Sequence, residues 1–133
     1  MPAIEFAALH RYTPAASGIT LPIILTSGNE AIKLLAAVDT GATHCIFERK
    51  NAELLNLDLE AGEPKIFRAA TGAVKAFGHS VTLEFLGLKF DSVVYFLADE
   101  AIDRNLLGRV GWLDRMRVAI VDHDGELYLA AYD

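Results

Sequence analysis

Cysteine is nearly missing: Cys45 stands alone among 133 residues. No internal disulfide can form, which fits a reducing compartment. Basic clusters are missing too. Lys and Arg total 12 against 18 Asp and Glu, a formal charge of −6, and such a chain is a poor partner for phosphate backbones. Proline is scarce, at four residues, and 53% of the chain is hydrophobic by a broad count. With no low-complexity tract, that composition excludes disorder. The chain also lacks an unbroken apolar span. Tyr12 to Asn29 carries no charge, but Pro14, Ser17, Gly18 and Pro22 interrupt it and its apolar heart is only Leu21 to Leu25; it reads as a turn followed by a strand. The opening Met1-Pro2-Ala3-Ile4-Glu5 has neither the basic start nor the apolar stretch of a signal peptide. The expectation is a cytoplasmic protein with no membrane and no nucleic-acid partner, built as a single domain over residues 1–133.

What is present is a period of two. Ile4 to Tyr12, Ile19 to Thr26 and Ala31 to Val38 are predicted strands, with turns at Thr13 to Gly18 and Ser27 to Glu30. Glu48 to Leu57 is rich in helix formers and predicts a short helix with Leu54 and Leu55 facing the core. Gly62-Glu63-Pro64 ends that region. Lys65 to Ala70 and Val74 to Leu86 flank Thr71-Gly72-Ala73 as a hairpin, and Leu88 to Ala98 follows as a strand after a turn at Gly87. Asp103 to Gly108 is expected as loop, and Val110, Leu113 and Met116, spaced by three, predict a helix over Val110 to Arg117. Val118 to Val121 and Glu126 to Ala131, around Asp122-His123-Asp124-Gly125, make a terminal hairpin. Seven or more short strands with one or two short helices predict an all-β fold, a small closed β-barrel.

One segment carries chemistry. The third strand runs directly into Asp39-Thr40-Gly41. A carboxylate delivered at the end of a buried apolar strand costs several kcal/mol unless neighbours compensate it. Asp-Thr-Gly alone is weak, because many turns contain it. Ala36-Ala37-Val38 before it, with Ala42-Thr43 and the apolar pair Ile46-Phe47 after it, make the pattern far more specific. A second stretch, Asn105-Leu106-Leu107-Gly108-Arg109, lies downstream of the hairpin.

Together these resemble the aspartic proteases, and the chain length points to their retropepsin-like branch; the likeness covers roughly residues 31 to 121. It implies a retropepsin-type barrel and an aspartic endopeptidase acting on extended peptide or protein substrates, with no cofactor and no metal. Because no second Asp-Thr-Gly or Asp-Ser-Gly occurs, it also implies a homodimer in which two copies of Asp39 meet across a two-fold axis. Two carboxylates about 3 Å apart then share one proton and activate a water, which is the general behaviour of such pairs. Thr40 would brace the two turns, and Gly41 would leave room for the substrate backbone and accept its N–H. Ala42 lacks the hydroxyl that some members aim at the carboxylate, so a less acidic pH optimum is expected. Thr71, Gly72 and Ala73 would form the tip of a flap running from about Phe67 to Gly78. Leu106, Leu107, Gly108 and Arg109 would support the site. Retroviral members commonly carry an acid where Thr43 stands here, which deprives Arg109 of that partner.

Other features read more plainly. His44 and Cys45 are adjacent on a strand and point to opposite faces, so they make no nucleophile pair, and Cys45 reads as a small buried hydrophobe. His10, His44, His79 and His123 lack ligand-like spacing. Trp112 reads as helix packing, and Asp122-His123-Asp124 as a solvated turn. The terminal segments Ile4 to Tyr12 and Glu126 to Ala131 are candidates for an intersubunit sheet, since edges must be paired or covered. Two other classes compete with the enzyme: a catalytically inactive binding or assembly module that keeps the barrel and the dimer, and a monomeric barrel for a small ligand.

Overall fold

The computed structural model describes residues 1–15, 17–70 and 72–132. Alternation along the chain becomes strand in most of the expected places. β1 (Ala8–Arg11) is followed by β2 (Thr20–Ser27) and β3 (Glu30–Val38), which form a hairpin turning at Gly28 with φ 57°. In β2, Leu21, Ile23 and Leu25 point inward and are fully buried. Pro22 on the other face tolerates its missing N–H because that half of β2 pairs only with β3. β4 (Ile46–Phe47), α1 (Arg49–Leu54), β5 (Glu63–Ala69), β6 (Gly72–Phe85) and β7 (Leu88–Leu97) come next. β8 (Leu106–Leu107), β9 (Met116–Val121) and β10 (Glu126–Ala131) complete the strands.

Seven strands are ordered β2-β3-β8-β4-β7-β6-β5, and a further pairing of β2 with β6 closes the sheet on itself. Closure is possible because β6 is 14 residues long: its first half pairs with β5, while Thr82 to Glu84 meet Thr26 to Ile24 of β2 along the same edge. The expected all-β fold with a closed barrel is therefore observed. A second, antiparallel sheet, β1-β10-β9, contributes Leu127, Leu129 and Met116 to the same core as Phe47, Phe96 and Trp112. Among the described residues no helix is long and apolar enough to cross a membrane.

Several expectations need correction. Strand structure in Ile4 to Tyr12 is confined to Ala8–Arg11, where β10 offers partners; Ile4 is 63% exposed. β10 is paired on both sides over Glu126 to Leu129, so of the segment Glu126 to Ala131 only Ala130 and Ala131 keep an edge free of β1. The helix is shorter than Glu48 to Leu57, and Asn56 ends it with φ 60°. Ala52 and Leu55, three apart, face the core; Leu54 falls on the other side and is 59% exposed. Glu63 and Pro64 open β5 rather than ending a region, and Pro64 is accommodated because β5 is the last strand of its sheet. Asp103 to Gly108 contains β8, a two-residue strand too short to show alternation. Val110 to Arg117 is not a helix. Gly111 takes φ 95° and donates its N–H to Asp114 Oδ1 at 2.9 Å, leaving only a 3-10 turn at Leu113–Arg115 before β9. Trp112 is fully buried against Phe85, so it is core packing from a loop. Ala69 pairs with Gly72 and Arg68 with Ala73, so Gly72 and Ala73 are the first residues of β6 and not the hairpin tip. Thr71 lies outside the described residues.

Candidate active site

Asp39 sits where β3 leaves the barrel wall, and backbone hydrogen bonds fix its position before its side chain plays any part. Ala37 N–H donates to Asn105 O at 2.8 Å and Asp39 N–H to Leu107 O at 3.0 Å, extending the parallel pairing of β3 with β8 past the end of both strands. The turn then folds on the carboxylate. Gly41 N–H donates to Asp39 Oδ1 at 3.0 Å and Ala42 N–H to the Asp39 carbonyl at 3.1 Å. A Cβ on Gly41 would lie 3.3 Å from that carboxylate oxygen. Among the described residues Gly41 is the one hydrogen-bond donor to the Asp39 side chain.

The outgoing strand is tied to the segment after β8. Arg109 N–H donates to Ala42 O at 2.9 Å and Val110 N–H to Thr43 O at 2.7 Å, while His44 bridges Val110 in parallel. The two backbones approach so closely at Gly108 that a Cβ there would sit 2.3 Å from His44 O and 2.8 Å from Ala42 O. Glycine is a geometric requirement at this crossing. Leu107 is fully buried and Leu106 half-buried beside β3. Arg109 supports the turn through its backbone; its guanidinium is exposed and makes no ion pair among the described residues, in keeping with Thr43 beside it.

A buried polar cluster lies behind the crossing. Asn105 Oδ1 accepts from Glu48 N–H at 3.1 Å and Asn51 Nδ2 at 3.0 Å, and Asn105 Nδ2 donates to Glu48 Oε2 at 2.7 Å. One residue thus joins the start of α1 to β8 through its side chain and, through its backbone carbonyl, to β3. The sequence marks this only as an Asn preceding Leu-Leu-Gly.

In front of the turn, a cavity of about 390 Å³ extends from Gly41, Ala42 and Thr43 to the hairpin residues Phe67, Arg68 and Val74. Ile46, Leu97, Ile102 and Leu106 give it apolar walls, and His44 and Arg104 also reach it. The structure therefore brings Gly41, Ala42 and Leu106 to one cleft with the hairpin base, whereas Gly72 and Ala73 do not line it. His44 is the residue whose contribution is easiest to miss. Its ring stands edge-on to Tyr95 and Phe67, with centroids 5.2 and 5.5 Å away, and Lys65 Nζ lies 3.4 Å from its Nε2. Burial, then the Lys65 charge, holds His44 below the usual histidine pKa. Cys45 faces the core as expected, fully buried, and burial pushes its thiol up to about 11. That makes it a packed hydrophobe and no nucleophile at neutral pH.

Comparisons with known proteins agree with this geometry. Residues 25–110 match the family model described as aspartyl protease. A retropepsin-like aspartic protease from Rickettsia conorii superposes with a TM-score of 0.59 at 25% identity, over 84% of this chain and 89% of that one. The EIAV protease, in a complex with an inhibitor, gives a TM-score of 0.58 at 18% identity, over 74% of this chain and 88% of that one. No curated protein matches.

Proposed function

From the premise that the chain belongs to the aspartyl protease family, we propose that it is an aspartic endopeptidase that works as a homodimer. One observation carries the proposal: a single Asp-Thr-Gly turn is held rigidly at the mouth of an apolar cleft, and the chain contains no second such turn. Chemistry that needs two carboxylates then requires a second copy of Asp39, brought up across a two-fold axis.

The pair holds one proton and a water lies between its members. The ionised Asp39 takes a proton from the water as its oxygen attacks the peptide carbonyl carbon, and the protonated Asp39 donates to the carbonyl oxygen. Collapse of the tetrahedral species breaks the C–N bond, the leaving nitrogen receives a proton from one carboxyl group, and a hydroxyl on the tetrahedral carbon returns its proton to the other as the carbonyl re-forms, which leaves the pair with one proton again. Thr40 braces the two turns, and Gly41, with its bare Cα, admits the substrate backbone. Ala42 brings no hydroxyl to the carboxylate and favours a less acidic optimum. The β5–β6 hairpin, with Thr71, Gly72 and Ala73 near its end, closes over an extended peptide and excludes water. Leu106, Leu107, Gly108 and Arg109 carry the turn from below. The outer edges of β1 and β9 remain for the second copy. With its lone cysteine the enzyme acts in the cytoplasm, as one domain over the whole chain.

The test is cleavage of a peptide library by the native protein and by Asp39→Asn, with mass in solution measured for both. We expect particles of twice the chain mass and a loss of rate of about 10³-fold or more in the variant. Equal rates would remove the protease reading, leaving a binding module; a monomer at all working concentrations would remove the shared site.

A further inference from the structure

The cleft beside Asp39 has a chemical bias that the general protease reading does not supply. Its walls are apolar, through Ile46, Leu97 and Leu106, and accept a large hydrophobic side chain. Two arginines reach it from opposite elements: Arg68 from β5 and Arg104 from the loop before β8. Both are exposed, and among the described residues neither forms an ion pair. Among the described residues no Asp or Glu lines the cleft. Of the acids close in sequence to the lining residues, Asp39 belongs to the turn at the cleft's mouth and its Oδ1 accepts from Gly41 N–H, while Asp99, Glu100 and Asp103 of the Arg104 loop do not line the cavity, and Asp99 accepts from the Ala101 N–H at 2.9 Å. In a chain of net charge −6, two unpaired cations at the mouth of an otherwise apolar groove are the reverse of the overall balance.

We propose that this cleft selects peptide segments in which a large apolar side chain stands next to an acidic one, the apolar group filling the cavity and the carboxylate meeting Arg68 and Arg104. This rests on the cleft being the substrate site of the proposed enzyme and adds the substrate class. The guanidinium fork suits a carboxylate, which it engages through two parallel N–H donors. The overall negative charge opposes acidic peptides only at long range. Beyond about 8 Å that repulsion is screened at physiological salt, so the local arginines decide the outcome at contact. Selection of this kind weakens as salt rises.

The experiment uses fluorescein-labelled octapeptides with a central Leu-Phe pair, in which Glu, Gln or Lys is scanned through the flanking positions. Affinity is measured by anisotropy against Asp39→Asn protein, which holds peptides without cleaving them. At one flanking position or more, Glu peptides bind about three- to tenfold more tightly than their Lys counterparts, the range that one or two exposed ion pairs provide. The ratio shrinks at high salt, and adding Arg68→Glu with Arg104→Glu reverses it. Arg68→Gln with Arg104→Gln, a milder pair, brings the ratio to about one and serves if the charge reversal prevents folding. Equal affinity for Glu and Lys peptides at every position overturns the proposal, as does a preference that survives both arginine pairs or binding of neither peptide. Cleavage of the Gln peptides by protein with Asp39 intact is scored separately: cleavage without acidic preference sinks the selectivity alone, while acidic preference without cleavage sinks only the protease reading.

Discussion

The Asp39 turn and the β5–β6 hairpin face one another across the cleft and are held in opposite ways. The turn is fixed by backbone bonds on both sides of the carboxylate, from Ala37, Asp39, Arg109 and Val110, all between 2.7 and 3.0 Å. The hairpin is anchored only at its base. β7 begins to pair with β6 at Ala76 and Ala98 N–H still donates to Lys75 O at 2.9 Å, so the stretch from Phe67 opposite Val74 outward is a two-stranded ribbon. Isolated ribbons of this kind are marginally stable. The contrast sets a carboxylate held by backbone pairing on both sides against a hairpin with few partners beyond its base, the division of labour that the proposed peptidase would need.

A pair of glycine substitutions breaks or upholds that contrast with the largest expected effect. At Gly108 a methyl group would collide with two backbone carbonyls, which cannot swing aside as a side chain would. Gly108→Ala should cost about 3–5 kcal/mol in urea denaturation and abolish activity. At Gly72 nothing lies within 4 Å of the added Cβ, and only the φ of 127° opposes it. Gly72→Ala should cost about 1–2 kcal/mol. Similar losses at the two sites would mean that the turn is no more tightly built than the ribbon.

A smaller effect is expected behind the turn. Asn105→Ala leaves the Glu48 N–H, one Glu48 carboxylate oxygen and Asn51 Nδ2 without their partner in a buried setting. A loss of about 2–3 kcal/mol follows. Because Asn105 also positions the backbone that receives Ala37, kcat should fall while KM changes little. A stability loss with unchanged kcat would show that the cluster holds α1 and not the turn.

How much of this was legible in the sequence depends on what each residue answers to. Leu21, Ile23 and Leu25 announce their strand because burial on one face of a sheet imposes a period of two. Asp39 and Gly108 were legible through their neighbours, since a rigid crossing restricts several adjacent residues at once. β8 was not, because two residues carry no period, and the helix expected over Val110 to Arg117 failed because Gly111 and Asp114 favoured a local turn over the three-residue spacing. The hairpin tip was placed too far along the chain for a similar reason. Glycine at position 72 reads as a turn residue, yet it opens a strand at positive φ. Arg68 and Arg104 reach one cleft, and Lys65 reaches His44, only through tertiary pairing that nothing local marks, while Asn105 shows in the sequence only as the residue before Leu-Leu-Gly.

The finest prediction concerns the polar contact between the hairpin base and the strand that leaves the turn. Lys65 on β5 donates to His44 Nε2 at 3.4 Å, which leaves the neutral ring carrying its proton on Nδ1, and that nitrogen is buried without a partner among the described residues. Burial and then Lys65 lower the His44 pKa. In the unfolded chain the same ring takes a proton at about pH 6.5. The native state therefore binds the proton less readily than the unfolded one, and stability is full above that pH and declines as pH falls through it. Melting temperatures measured between pH 7.5 and 5.5 should fall on the acid side, and His44→Phe should flatten part of that slope. Lys65→Met removes the second cause, so the His44 ring resonances should titrate at higher pH than in the native protein and the slope should soften. The shift is small, because burial is the larger cause and remains. If the ring titrates identically with and without the ammonium, the hairpin base exerts no electrostatic hold on the strand leaving the turn, and the two regions meet only through apolar contact.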